Sequence, residues 1–183
     1  MPRTLAERGI WRMKAALMGK DPTTFDRVYA ARQHDALSSR VELLPGVFPA
    51  PSDPRLREIE AIFSTWGMPA MTEDEIRTQL PELKYVFYAA GSVQAFARPF
   101  LNCGVRVFSA WQANAVPVVQ YAFAQIVLAL KGYFPAQTLI RSSRARSAEA
   151  AGHYPGAFDA RVGLIGCGAI GSRLAEMLMQ LDV

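Results

Sequence analysis

The chain has 183 residues, 51% hydrophobic and 20% charged, with a formal net charge of +4. These figures describe one ordinary globular domain or two small ones and exclude a disordered chain. Lys and Arg are dispersed apart from Arg141-Ser-Ser-Arg-Ala-Arg146, which reads as a solvated linker, so no nucleic-acid surface is expected.

In chain order, Met1 to Lys20 is basic and partly amphipathic and reads as an N-terminal helix on the surface. Glu7 and the lack of a small-residue cleavage site argue against a targeting peptide. Arg27-Val-Tyr-Ala30 is a candidate first strand. Val41-Glu-Leu-Leu44 is a second, closed by Pro45-Gly46, with a weakly helical Ala31–Arg40 between them. After a proline-rich loop, Ile59–Ser64 is the next strand. Thr72-Glu-Asp-Glu75 is a capping box whose helix ends before Pro81. Leu83–Tyr88 is a further strand, and the small-residue turn Ala89-Ala90-Gly91-Ser92 stands at its carboxyl end. A short helix near Val93–Leu101 and a strand over Val105–Ser109 follow. Strands alternating with helices imply a parallel sheet with helices on both faces.

Asn114 or its neighbour caps a long helix, with Pro117 in the first turn and Lys131-Gly132 at the end. That helix is apolar almost all round, so it needs burial between domains or against a second subunit. Its stretch Ala115–Leu130 contains Gln120 and Gln125 and is short for a membrane span, so no membrane partner is expected. Pro135–Ala157 reads as a helical and loop link. Cys103 and Cys167 give no disulfide framework, which fits a cytoplasmic, reducing setting.

Arg161–Leu181 is the stretch that organises the rest. Val162, Leu164 and Ile165 read as a short buried strand. Gly166, Gly168 and Gly171 stand at G-x-G-x-x-G spacing. Ile170, Leu174, Met177, Leu178 and Leu181 share one helical face. In a dinucleotide site the first glycine allows the tight turn, the second lets the backbone approach a pyrophosphate, and the third lets helix and strand pack closely. The helix start adds unpaired N–H groups and the positive end of its dipole. Asp182 comes too early to be the ribose-binding acid of such a site and reads as solvated.

Pro81–Val93 (PELKYVFYAAGSV), Gly104–Lys131 (GVRVFSAWQANAVPVVQYAFAQIVLALK) and Val162–Gly171 (VGLIGCGAIG) together resemble the D-2-hydroxyacid dehydrogenase family in order and spacing. The resemblance implies an α/β fold: a flavodoxin-like parallel-sheet substrate domain, then the first strand and helix of a Rossmann domain. The boundaries expected are an N-terminal extension over 1–25, a substrate domain over 26–112, and an interdomain helix with an incomplete nucleotide domain over 113–183. It implies that Ala90, Gly91, Ser92 and Val93 present amides to a substrate carboxylate and that Asn114 lies near substrate and nicotinamide. Gly166, Gly168, Ala169, Ile170 and Gly171 then meet the pyrophosphate of NAD or NADP. The substrate is a small 2-oxo or 2-hydroxy acid, and Val116–Leu130 forms part of a homodimer interface. Gln120 departs from the Glu of many members.

The family's acid–base His, its carboxylate partner and its Arg lie beyond the glycine turn. His34 and His153 do not match that position, and no catalytic residue is assigned. The chain is therefore expected to be an inactive fragment of a hydride-transferring oxidoreductase. The alternatives are a non-catalytic NAD-binding or dimerisation module and, a poorer fit to the upstream segments, a methyltransferase loop.

Overall fold

A computed structural model of the chain describes residues 12–183. Their contacts divide into two compact units, one running through Trp111 and one from Gln112 to Val183.

The first unit is built on five parallel strands: β1 (Lys14–Met18), β2 (Glu42–Phe48), β3 (Ala61–Ser64), β4 (Tyr85–Tyr88) and β5 (Arg106–Ser109). Their order is β2-β1-β3-β4-β5. From β1, second in the sheet, the chain steps out to the edge strand β2, then crosses back over β1 and continues to β5. Four helices connect them: α1 (Pro22–Val28), α2 (Ala31–Ser38), α3 (Glu73–Gln79) and α4 (Ala97–Asn102). This is a doubly wound, flavodoxin-like arrangement.

Alternation along the strands sorts the core. Ala16, Met18, Ile62, Val86 and Tyr88 join Leu56, Ile59, Ile76, Leu80 and Phe100 in the main buried cluster, so α3, α4 and the 3-10 turn Pro54–Glu58 seal that face. Ala15 and Ala61 point to the other face with Phe63, Tyr85 and Phe87. Register sets Phe63 beside Phe87 and Phe87 beside Phe108. The three rings stack at 5.0 and 5.2 Å. This second face is only partly covered within the described residues, leaving Phe108 46% exposed.

Three expectations need correction here. The basic N-terminal stretch is not a surface helix where the structure describes it: Lys14–Met18 is a central strand paired on both sides, and Ala15–Met18 are buried. Its Ala, Leu and Met are good helix formers, and double-sided burial removes the polar–apolar alternation that marks a strand. The part of that expected helix on residues 1–11 lies outside the described residues. Arg27–Ala30 is not a strand but the end of α1 and its cap. Asp21 caps that helix through Thr23 N–H at 3.0 Å, with Pro22 at its first position. Finally, β2 does not stop at Pro45-Gly46. It bulges there, with Gly46 at φ +97°, and resumes pairing at Val47 and Phe48. An edge strand tolerates a proline because its outer N–H has no ladder partner to lose.

The second unit is helical: α5 (Trp111–Leu130, whose first residue belongs to the first unit), α6 (Tyr133–Ile140), α7 (Arg144–Gly152) and α8 (Ala169–Leu178). Val119 of α5 packs with Leu174 and Leu178 of α8, flanked by Phe123, Ile126, Val162 and Met177. The α6–α7 pair is tied by the Ser147 hydroxyl donating to Ala136 O at 2.9 Å. α5 starts earlier than expected, so Asn114 lies inside its first turn and Pro117 in its second. Its 20 residues are long and apolar enough to cross a membrane by length and composition alone. One face nevertheless packs on α8 as a core helix does, while Val116, Val118 and Tyr121 stay exposed.

Val162–Ile165 forms no strand. The strand expected there is thus corrected: a strand exists only by pairing, and no described segment pairs with this one. Val162 is retained by the α5–α8 cluster, whereas Leu164 and Ile165 are exposed.

Candidate functional site

In doubly wound sheets ligands sit outside the carboxyl ends of the strands. At that edge the backbone continues to pair past the strands: Gly19 N–H donates to Phe48 O, Lys20 to Gly67 O, Ala89 to Ser64 O and Ala110 to Tyr88 O. These bonds fix where each loop departs.

The turn after β4 carries the predicted residues Ala90, Gly91, Ser92 and Val93, and the structure brings them together. Ala90 is buried and anchors the turn; Gly91 and Val93 are half-buried and Ser92 is exposed. The N–H groups of Gly91, Ser92 and Val93 donate to no protein acceptor among the described residues. Successive free amides in a small-residue turn form an anion-binding concavity. The Ser109 hydroxyl, at the end of β5, donates to the carbonyls of Ala90 and Gly91. Sequence reasoning did not single out this serine. Its only sequence signal was a hydroxyl at the end of a strand beside the turn-bearing strand.

A cavity of about 250 Å³ opens at the same edge, lined by Tyr29, Phe87, Tyr88, Ala89, Phe108, Ser109 and Ala110. The Tyr29 hydroxyl donates to Ser64 O at 3.0 Å. Burial pushes both the Tyr29 and Tyr88 phenols above their usual range, so both remain protonated at neutral pH.

At the opposite, amino edge a cavity of about 420 Å³ is lined by Arg12, Lys14, Glu42, Glu58, Glu60, Glu82 and Lys84. Four of its charges form two ion pairs, Lys14 with Glu58 and Lys84 with Glu60. Among the described residues no group of three metal-ligating side chains occurs.

The second unit holds the glycine turn. Gly166 has φ +91°, a conformation other residues resist. A Cβ on Gly171 would stand 2.1 Å from Gly166 O, so the helix start rests directly on the turn and only glycine fits. A Cβ on Gly168 would meet no chain atom within 4 Å. That position borders open space rather than packed protein. Gly168 is also the N-cap of α8 and has no capping side chain. The first-turn N–H groups of Ala169, Ile170 and Gly171 donate to no protein acceptor among the described residues. The first glycine makes a tight turn, the second borders open space and the third lets the helix start rest on the turn itself, not on a strand. The residues present fit a dinucleotide pyrophosphate, with Gly168, Ala169 and Ile170 as the ones that would hold it.

Asn114 is half-buried in the first turn of α5, in the second unit. Cys167 is free and exposed within the turn, and Cys103 is free. His34 on α2 and His153 after α7 are exposed.

No protein-family model matches the chain, and no curated protein does. Solved structures do. A D-lactate dehydrogenase from Treponema pallidum superposes with a TM-score of 0.67 at 16% identity, over 93% of this chain and 51% of its own. An NAD-dependent formate dehydrogenase from Staphylococcus aureus, solved in complex with NAD, gives 0.64 at 18% identity, over 91% and 52%. An NADPH-dependent glyoxylate/hydroxypyruvate reductase from Sinorhizobium meliloti, in complex with NADP and malonate, gives 0.58 at 18% identity, over 93% and 51%. The chain spans about half the length of the structures it matches. At these identities the likeness is one of fold: more than nine tenths of this chain is folded as about half of each of these dehydrogenases is.

Proposed function

We propose that the chain is part of an NAD(P)-dependent oxidoreductase of the D-2-hydroxyacid dehydrogenase type, interconverting a 2-hydroxy acid and a 2-oxo acid. The observation that carries this reading is the pairing of two unfilled donor sets in one chain: free amides at Gly91–Val93 and the open, uncapped turn at Gly168–Ile170. One suits a carboxylate, the other a diphosphate. The fold of the NAD- and NADP-bound dehydrogenases above supports the same pairing.

In this reading Gly91 and Ser92 fix the substrate carboxylate, and Ala169 and Ile170 fix the pyrophosphate. A bound nicotinamide supplies hydride exchange with the carbon bearing the oxygen. No acid–base residue is assigned to the chain, and the reading includes no turnover by residues 1–183 alone. The exposed Val116, Val118 and Tyr121 on α5 support a homodimer contact through Val116–Leu130. The two free cysteines accord with a cytoplasmic setting.

The test is a calorimetric titration of NADH into the chain and into Gly168→Val. Wild type should show saturable binding. Gly168→Val should lose it while still unfolding cooperatively, because the Cβ it adds meets no chain atom and the expected cost is that of a poorer N-cap. Absence of binding by wild type, or equal binding by the variant, would overturn the reading.

A further inference from the structure

The Ser109 hydroxyl approaches two consecutive backbone carbonyls of the turn after β4: Ala90 O at 3.0 Å and Gly91 O, closer still. Register places Ser109 beside Tyr88 on the neighbouring strand, and Ala110 N–H donates to Tyr88 O at 2.9 Å. The hydroxyl is therefore held by the sheet itself, one step before the turn begins.

The consequence follows from peptide geometry. In a trans peptide the N–H of one residue points opposite to the C=O of the residue before it. Drawing Ala90 O towards Ser109 turns the Gly91 N–H away from it. Drawing Gly91 O to the same point turns the Ser92 N–H away as well. Two successive N–H groups are then presented on the side opposite the serine, and neither donates to a protein acceptor among the described residues. A turn of Ala, Gly and Ser has no bulky side chain to hold either peptide plane in place. With two carbonyls and one shared proton, the hydroxyl is the group that couples the two planes.

We propose that Ser109 is a positioning residue that orients the Gly91 and Ser92 amides as a carboxylate-binding pair. The assignment rests on the 2-oxo acid reading given above and adds to it the residue that sets the donor geometry. Ser109 does not touch the carboxylate; it acts through the two peptide planes. A hydroxyl at this position is required, and its loss frees the planes to rotate so that the two donors no longer converge.

The test is titration of oxamate, a 2-oxo acid isostere, into the ¹⁵N-labelled full chain, followed at each backbone amide. In wild type the Gly91 and Ser92 amides should shift saturably. Ser109→Ala should weaken oxamate binding by about 3- to 10-fold, the worth of one hydrogen bond, with the remaining amides of the sheet unmoved. Ser109→Thr and Ser109→Val supply an isosteric pair differing only in the hydroxyl. Threonine should restore wild-type affinity and valine should not, at matched unfolding midpoints, a split that a purely structural role would not produce. If wild-type Gly91 and Ser92 amides stay fixed at saturating oxamate, the carboxylate reading fails and this assignment with it. If they move and Ser109→Ala or Ser109→Val binds as tightly as wild type, the assignment of Ser109 alone is overturned.

Discussion

The glycines of the turn after residue 165 differ in what they tolerate, and the difference is measurable. Gly171→Ala drives a methyl into Gly166 O, whose backbone cannot step aside without moving the turn. The expected loss is about 1–3 kcal/mol, the usual range for overpacking, read as a lower denaturation midpoint. Gly168→Ala meets nothing and φ −84° suits alanine, so the expected loss is only that of a glycine N-cap, up to about 1 kcal/mol. Its effect belongs to cofactor affinity.

A second residue-scale prediction concerns acid. Glu75 accepts from Thr72 N–H at 2.8 Å and from the Thr72 hydroxyl, which hold its carboxyl below the usual value of 4.5. The folded state thus favours the carboxylate. Its stabilisation is present above the unfolded value and is lost as pH falls through the lower, folded one. Glu75→Gln should therefore flatten part of the stability decline between roughly pH 5 and pH 3, measured by thermal melts across that range.

At the scale of elements, a local device could be read from the sequence wherever it was self-contained. The capping box Thr72–Glu75 formed with both reciprocal bonds. The strands around Ile62, Val86 and Val107 and the helix after Gly168 were visible in their apolar patterns. Elements that depend on distant partners were not. Lys14–Met18 has no alternation because β2 and β3 flank it and both its faces are buried. Val162–Ile165 has a strand's composition and no strand beside it. The helix start of α1 is an Asp21-Pro22 cap-and-proline pair that the strand expected over Arg27–Ala30 left out of account.

The correction at β1 has a direct check. Ala16→Leu adds three carbons at a fully buried position in the main core cluster and should destabilise by about 1–3 kcal/mol. A surface helix at that place would absorb the change. For α5, Tyr121→Asp with Val118→Asp should shift the sedimenting species towards monomer if Val116–Leu130 is a subunit contact, and leave it unmoved otherwise.

Taken whole, the chain carries two turns whose amides have no protein acceptor among the described residues, one in each unit, and most of its large apolar core lies in the first. Hydrogen exchange should accordingly be slowest in Ala15–Met18, Ile62 and Val86. It should be faster in α8, whose support is the small Val119–Leu174–Leu178 cluster. The proposal that the chain binds a dinucleotide was legible in the spacing of three glycines. Why the carboxylate turn should be oriented was not, because the serine that orients it stands on a different strand, 18 residues away from Gly91.

The measurement that bears most directly on the central claim is amide mapping of NADH on the ¹⁵N-labelled chain. The account predicts saturable shifts centred on Gly168, Ala169 and Ile170. Shifts centred elsewhere, or none at those three amides at saturating NADH, would contradict it.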